Sequence, residues 1–377
     1  MTSHAKIRQA NKTEKVCDAL FVSLFSLLLC CGIIANVTGF TGLALVEKRS
    51  LSSAPEWPSS LKEWSEFPAA VERYVNDNFG LRDELIAFNS YFHYRLGISA
   101  QPRVLVGTHG WLYYAGDGNW AFYRGRYRFT EGQISDWLDR MEKRQKWLAE
   151  RGIRFVILPA PVKETIYSDH LPYWLRKEAR ETVVDQLVTA AKRKPAITII
   201  DVRDRLRRQR SQADMYTPFD THWTEAGAFV AYEALMEAIT PSLPGVNALA
   251  RSSVHWHPTN PQRIQQDMAL MLGIDRFLTI SGVDYVPKHI STIRTQYLTD
   301  KTGPDNPQLI TTGADAKYRI MLVRDSFVWA MLPFLEDTFG AILIRHVQDG
   351  PFPEAEIERY HPDVFVLEVQ EAGLGAM

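Results

Sequence analysis

The sequence predicts an α/β protein in which helices cover a mostly parallel sheet, tethered by one N-terminal membrane span. Three observations carry this. From Arg154 onward, short apolar runs of strand length alternate with longer segments of helical spacing. From Ala19 to Val46 no Asp, Glu, Lys, Arg or His occurs, and the stretch includes an apolar run long enough to cross a bilayer as a helix. All three cysteines, Cys17, Cys30 and Cys31, lie in or beside that run. The part that follows it therefore forms no disulfide and offers no thiolate. It is large enough to bury a core without such staples.

With 46% hydrophobic and 23% charged residues, the composition is that of a folded chain rather than a disordered one. The net charge is −1 and no run of like charges follows the N-terminus, so no nucleic-acid partner is expected. Residues 1–18 read as a cytoplasmic N-terminus: Lys6, Arg8, Lys12 and Lys15 face only Glu14 and Asp18. Residues 19–37 read as a transmembrane signal anchor, and the positive-inside rule sends everything beyond it outward. No A-x-A-like cleavage site follows the run, and Leu29 precedes Cys30 where a lipoprotein signal wants a small residue.

Residues 38–100 form a connector and a helical segment. Gly39, Gly42, Pro55 and Pro58 mark the connector. From Leu61 to Leu96 the spacing is helical, and Trp64, Phe67, Val71, Tyr74 and Val75 make a stripe expected to pack into a core. Residues 101–377 read as one large α/β domain. Val104-Leu105-Val106, a turn at Gly107-Thr108-His109-Gly110 and the run to Tyr114 predict a hairpin, with His109 a solvated turn residue. Gly132 to Arg151 predicts a helix with Ile134, Trp137, Leu138, Met141 and Trp147 inward. Next come a strand over Arg154–Leu158, a helix over Glu181–Lys192 and a strand over Ile197–Val202. A loop at Asp220–Thr224 leads into a helix over Glu225–Ile239 that Thr224 can cap. Residues 250–318, rich in Thr, Asp, Asn and Pro, read as an inserted loop or hairpin region. Strand Tyr318–Val323, helix Phe327–Thr338, strand Ala341–Ile344 and strand Val364–Glu368 complete the alternation.

Two short segments carry the chemistry. In Asp220-Thr221-His222-Trp223 an Asp two residues before a His can hold the imidazole in one tautomer while its other nitrogen faces a hydroxyl. In Asp325-Ser326-Phe327 a Ser at a strand-to-helix turn can supply that hydroxyl, with its own N–H placed to stabilise an oxyanion. The bland alternatives are a surface Asp–His bond and a helix cap. In an open α/β sheet, ligands sit outside the carboxyl ends of the strands. Lys163 and Glu164 follow one such end and Arg345 and His346 another; each can face the crevice, or can belong to a solvated loop or an ion pair. Trp111, Trp120 and Trp256 are candidates for stacking on sugar rings, although most Trp residues are core. No metal site and no cofactor is expected.

In order along the chain come Glu47-Lys48-Arg49, Asn76-Asp77-Asn78-Phe79-Gly80-Leu81-Arg82, Gly107-Thr108-His109-Gly110-Trp111-Leu112, Pro161 to Tyr167, Asp220-Thr221-His222-Trp223-Thr224 and Asp325-Ser326-Phe327. This series resembles the SGNH-hydrolase-like polysaccharide O-acetyltransferases, the alginate O-acetyltransferases of AlgJ/AlgX type and the related DHHW group. The resemblance implies a flavodoxin-like three-layer α/β/α fold. It also implies a Ser-His-Asp triad of Ser326 as nucleophile, His222 as general base and Asp220 as its orienting partner. The activity implied is acetyl transfer to an exopolysaccharide in the periplasm, from a protein held in the bacterial inner membrane. A multi-pass membrane-bound acyltransferase is the implied acetyl supplier. The chain departs from the pattern at Arg324, where classical SGNH enzymes have Gly; a side chain there can narrow the approach of water or bind an anionic sugar. Two other readings of the same residues stand beside this one: a carbohydrate acetylesterase, and a non-catalytic polysaccharide-binding scaffold.

Overall fold

The computed structural model describes residues 15–27, 30–31, 34, 52–116, 118–176, 180–258, 266–279, 283–287, 292–314 and 317–377. The chain divides into two compact units, residues 1–93 and 94–377. In the first, residues 15–27 are helical. Among the described residues no helix is long and apolar enough to cross a membrane; the expected span, 19–37, lies partly outside them. Ser60 starts the helix Leu61–Asn78, its hydroxyl accepting from the Glu63 N–H. No residue of this helix is buried, and Trp64 and Val75 are about half exposed, so the expected core packing is not found. Instead Trp64 and Phe67 meet Trp57 edge-on, with ring centroids 5.8 and 5.6 Å from it. An amphipathic stripe buries itself only against a facing layer, and the described part of this unit supplies an aromatic trio rather than a layer.

The second unit is built on a six-stranded sheet. Its strands are β3 (Arg154–Ala160), β6 (Arg294–Tyr297), β7 (Gln308–Thr311), β8 (Arg319–Arg324), β9 (Ala341–His346) and β10 (Val364–Gln370), in the order β3-β10-β8-β9-β7-β6. The first four in that order are parallel; β7 and β6 join antiparallel, so the sheet is mixed. The strand last in sequence lies between β3 and β8, unlike the 2-1-3-4-5 order of a flavodoxin. It suits the position: every residue of β10 but Gln370 is buried. Two smaller pairs stand apart, β1 (Val104–Val106) with β2 (Leu112–Tyr114) and β4 (Val254–Pro258) with β5 (Val283–Pro287). The inserted region thus contributes one antiparallel pair to the main sheet and one of its own.

Alternation along β3 sends Val156, Leu158 and Ala160 to one face and Phe155 and Ile157 to the other. On the first face lie the helices Glu225–Ile239 and Leu332–Glu336; on the second lie Glu131–Ala149, Val183–Ala191 and Glu354–Tyr360. Each fully buried Leu, Ile or Phe in these layers contributes roughly 1.5–3 kcal/mol.

The expected strand over Ile197–Val202 is reduced to one parallel bridge, Ile199 to Ile157. The Ile197 N–H closes a turn onto the Lys194 carbonyl and Val202 already starts the helix Arg203–Gln209, leaving too little chain between them. The expected helix over Phe327–Thr338 breaks into a 3-10 turn, Ser326–Ala330, and the helix Leu332–Glu336, with Pro333 in the latter's first turn. Glu225–Ile239 is helical as the spacing predicts, and the Thr224 hydroxyl accepts from Gly227 N–H at 3.2 Å. A Cβ on Gly227 would lie 2.6 Å from the Met215 carbonyl, so only glycine lets this helix start so close to the neighbouring loop.

Candidate active site

Ser326, His222 and Asp220 meet at the carboxyl end of the parallel strands. Ser326 follows β8 at the first position of its 3-10 turn, where the N–H has no acceptor within the turn. His222 lies in the loop before helix Glu225–Ile239. The Ser326 Oγ is 2.7 Å from His222 Nε2, and His222 Nδ1 is 2.8 Å from Asp220 Oδ1. Asp220 Oδ1 also accepts the His222 main-chain N–H at 2.7 Å. Ser326 is exposed, His222 half-buried and Asp220 buried. A hydroxyl open to solvent thus stands at the head of a relay whose far end is dry, which is what nucleophilic attack with proton removal requires.

The Ser326 turn and the histidine loop are fastened to each other. The Trp223 indole N–H donates to the Phe327 carbonyl at 2.8 Å, and the Phe327 ring lies 4.9 Å from the His222 ring. The Asp325 carboxylate accepts from the N–H groups of Phe327 and Gln370, tying the turn to β10. The Asp325 N–H in turn donates to the buried Glu368 carboxyl.

The electrostatics favour an Asp220–imidazolium pair. Burial alone would lower His222, but the Asp220 hydrogen bond and charge, with Asp267 behind them, hold it above the ordinary histidine range. Burial would raise Asp220, and the His222 bond and charge outweigh it, so its carboxyl is held below the ordinary range.

Asp267, which begins the helix Asp267–Leu272, gave no signal in the sequence: it sits within the irregular inserted region with no spacing to the motif. Its N–H donates to Asp220 Oδ2 at 3.0 Å and its Oδ1 accepts the Thr221 N–H at 2.8 Å. Burial first, then the charge of Asp220, pushes its carboxyl up to about 7. Asp220, His222 and Asp267 bring potential metal-ligand atoms within 4.8 Å of one another. Asp220 Oδ1 and Oδ2 and Asp267 Oδ1 already accept from the donors just named.

The flanking candidates take other places. Lys163 and Glu164 do not face the crevice as substrate-binding groups; they are 1% and 3% exposed. The Lys163 ammonium donates to the carbonyls of Asp220, Thr217 and Pro218 at 2.5, 3.2 and 3.2 Å, so it braces the histidine loop from beneath. Glu164 is pushed up to about 7 by burial. Arg324 is wholly buried, so it neither narrows the approach of water nor meets a sugar; its guanidinium binds the Pro304 and Asp325 carbonyls and lies 4.4 Å from the Trp329 ring. Arg345 pairs with Glu356 and donates to the Asp349 carbonyl, while His346 Nδ1 accepts the Gln348 N–H. These two hold the turn after β9 rather than joining the relay. His109 adopts φ 56° in its turn, with its ring against His170. Trp111 is buried and stacks on His170 and Tyr167, and the side chain of Trp256 lies outside the described residues.

Known proteins are similar to this chain in sequence and fold. The family described as "SGNH hydrolase-like domain, acetyltransferase AlgX" matches residues 104–363. The probable alginate O-acetylase AlgJ of Pseudomonas fluorescens is 24% identical over 294 residues, which is 75% of this chain and 69% of that protein. The structure of Bacillus cereus PatB1 with a sulfonyl adduct superposes with a TM-score of 0.53 at 16% identity, covering 72% of this chain and 94% of that one. A second PatB1 structure gives 0.52 at the same identity, covering 72% and 96%. At such identities the structures speak for the fold alone. Because the family match spans more than half of the chain and includes Asp220, His222 and Ser326, this chain belongs to the SGNH hydrolase-like acetyltransferase family of AlgX.

Proposed function

We propose that the chain is an O-acetyltransferase that carries an acetyl group on Ser326 and delivers it to hydroxyls of an exopolysaccharide. The observation that carries this is the relay of 2.7 and 2.8 Å from Ser326 through His222 to Asp220. The family and the AlgJ relative add support. Ser326 Oγ attacks the acetyl carbonyl as its proton passes to His222 Nε2. The oxyanion forms beside the Ser326 N–H, and the donor's leaving oxygen departs with the proton from His222. A sugar hydroxyl then gives its proton to His222 and attacks the acetyl-serine, which restores Ser326 and leaves an acetyl ester on the glycan. The exposure of Ser326 favours a second reading, an acetylesterase, because water reaches the acyl-enzyme by the same path.

The test is to incubate the protein with p-nitrophenyl acetate and digest it. The peptide containing Ser326 should gain the mass of one acetyl group, and a glycan acceptor should then remove the group and gain it. A peptide that never gains acetyl sinks both readings; acetyl that passes only to water leaves the esterase.

The uncharged stretch Ala19–Val46 and the lysines before it support a signal anchor, with the catalytic unit in the periplasm and a multi-pass membrane acyltransferase as acetyl supplier. A reporter that works only outside the cytoplasm, fused after Val46, should be active, and the mature protein should keep residues 1–15. A mature N-terminus near Asn36 would replace the anchor with a cleaved signal.

A further inference from the structure

The inserted region supplies a wall of the relay. Helix Asp267–Leu272 starts against residues 219–221, the segment that leads to His222. In a first helical turn the N–H groups have no acceptor within the helix. Here those of Met268 and Ala269 donate to the Phe219 carbonyl at 3.0 and 3.3 Å, and that of Asp267 donates to Asp220 Oδ2 at 3.0 Å. The Thr221 N–H returns a bond of 2.8 Å to Asp267 Oδ1. Met268, Ala269 and Leu272 are buried and seat the helix in place.

The main-chain bonds ask nothing of the side chain at 267, which makes two contacts of its own. Its Oδ1 holds the Thr221 N–H, and its Oδ2 lies 3.9 Å from His222 Nδ1, beside the 2.8 Å contact of Asp220 Oδ1. The two acids differ in setting: the Asp220 side chain is 5% exposed and that of Asp267 34%. Placing one carboxylate against another costs free energy, and burial with the Asp220 charge already pushes Asp267 up to about 7. An Asn could accept from the Thr221 N–H without that repulsion. What the charge adds falls on the imidazole. The other charged groups nearby are Asp325, which faces His222 from the serine turn, and Lys163, which faces Asp220 and Asp267 from the segment after β3.

When Ser326 Oγ gives its proton to Nε2, the ring becomes an imidazolium whose charge Asp220 meets at Nδ1. We propose that Asp267 is a positioning residue of the relay, which holds Asp220 on Nδ1 and sets a second negative charge beside the imidazolium. The inference rests on the Ser326 relay of the acetyl-transfer reading and adds to it a residue from outside the motif segments.

The experiment compares the full chain with Asp267→Asn, which keeps an acceptor for Thr221 and removes the charge, and with Asp267→Ala, which removes both. The pH dependence of kcat/KM for p-nitrophenyl acetate is read for each. Isotope-labelled histidine gives the His222 titration by NMR without catalysis. Loss of a negative charge makes the imidazole less basic. In Asp267→Asn the acid limb and the His222 titration should therefore both move to lower pH, by about one unit. The plateau kcat should fall roughly three- to tenfold at unchanged KM. Asp267→Ala should lose more kcat, because the Thr221 N–H then lacks this acceptor. A wholly structural side chain would lower stability and leave limb and titration where they were. That result overturns the proposal, and so does a rise in KM alone. If Asp267→Ala does not fold, Asp267→Asn, of the same shape, decides. A wild type whose Ser326 never gains acetyl would overturn the transferase reading, and the NMR shift would still decide the role of Asp267.

Discussion

Replacing Ser326 by Ala should lower acetyl transfer by roughly 10⁵- to 10⁶-fold, His222→Ala by as much, and Asp220→Ala by about 10⁴-fold. The double and triple variants should lose little more, because each single change already disables a unit that works as one. The Ser326 and His222 variants should stay folded, since Ser326 is exposed and His222 half-buried. The pH dependence follows from the pair behind the nucleophile. His222 must be neutral to take the Ser326 proton, and Asp220 holds it above the ordinary histidine range. Ester turnover should therefore fall as pH drops through a value above about 6.5, and Asp220→Asn should move that limb downward. Stability has the opposite preference. The raised His222 contributes stability that is present below its unfolded pKa and lost as pH rises through the folded one. The depressed Asp220 contributes stability that is lost as pH falls through its own. The pair is strongest in mild acid, where the base is blocked, so the two optima should separate. A folded Ser326→Ala protein with wild-type turnover would remove this site from the mechanism.

Lys163→Met should cost about 3–5 kcal/mol of stability and reduce kcat roughly ten- to a hundredfold. The ammonium is buried and satisfies three carbonyls of the loop that leads to His222. A methionine fills the volume but leaves the Thr217 and Asp220 carbonyls without this donor, each at a cost of about 1–3 kcal/mol unless the loop shifts to water, while the Pro218 carbonyl keeps the Leu112 N–H. If it shifts, Asp220 moves with it. Denaturant titration measures the first effect, and kcat and KM for p-nitrophenyl acetate measure the second. A brace acts on kcat; a rise in KM alone would mean that Lys163 touches the substrate.

Much of this site was legible because its chemistry is written in short segments. Asp220 and His222 are two residues apart, and Thr224 announces the helix that fixes them, so local spacing sufficed. Ser326 could be named from its strand-to-helix position, but its meeting with His222 across 104 residues depends on where β8 falls in the sheet. Asp267 was not legible at all, since only the fold of the inserted region brings it to Asp220. Lys163, Glu164 and Arg324 were misplaced for one reason: charged residues after a strand read as facing solvent or ligand, whereas here carbonyls and neighbouring charges draw them inward. Strand order was equally hidden, because periodicity marks β10 as buried without saying between which neighbours.

The central place of β10 bears on how the protein comes into being. Strands β3 and β8 are neighbours of β10 on either side and do not pair with each other. While the chain is being made, the sheet therefore keeps a vacant lane until residues 364–370 have emerged. Ser326 emerges earlier, and its turn can meet Trp223 at once, but its fastening to Gln370 through Asp325 must wait until then. The serine turn thus gains its tie to the sheet only once residues 364–370 are in place, and a chain interrupted before them carries every residue of the relay without that tie.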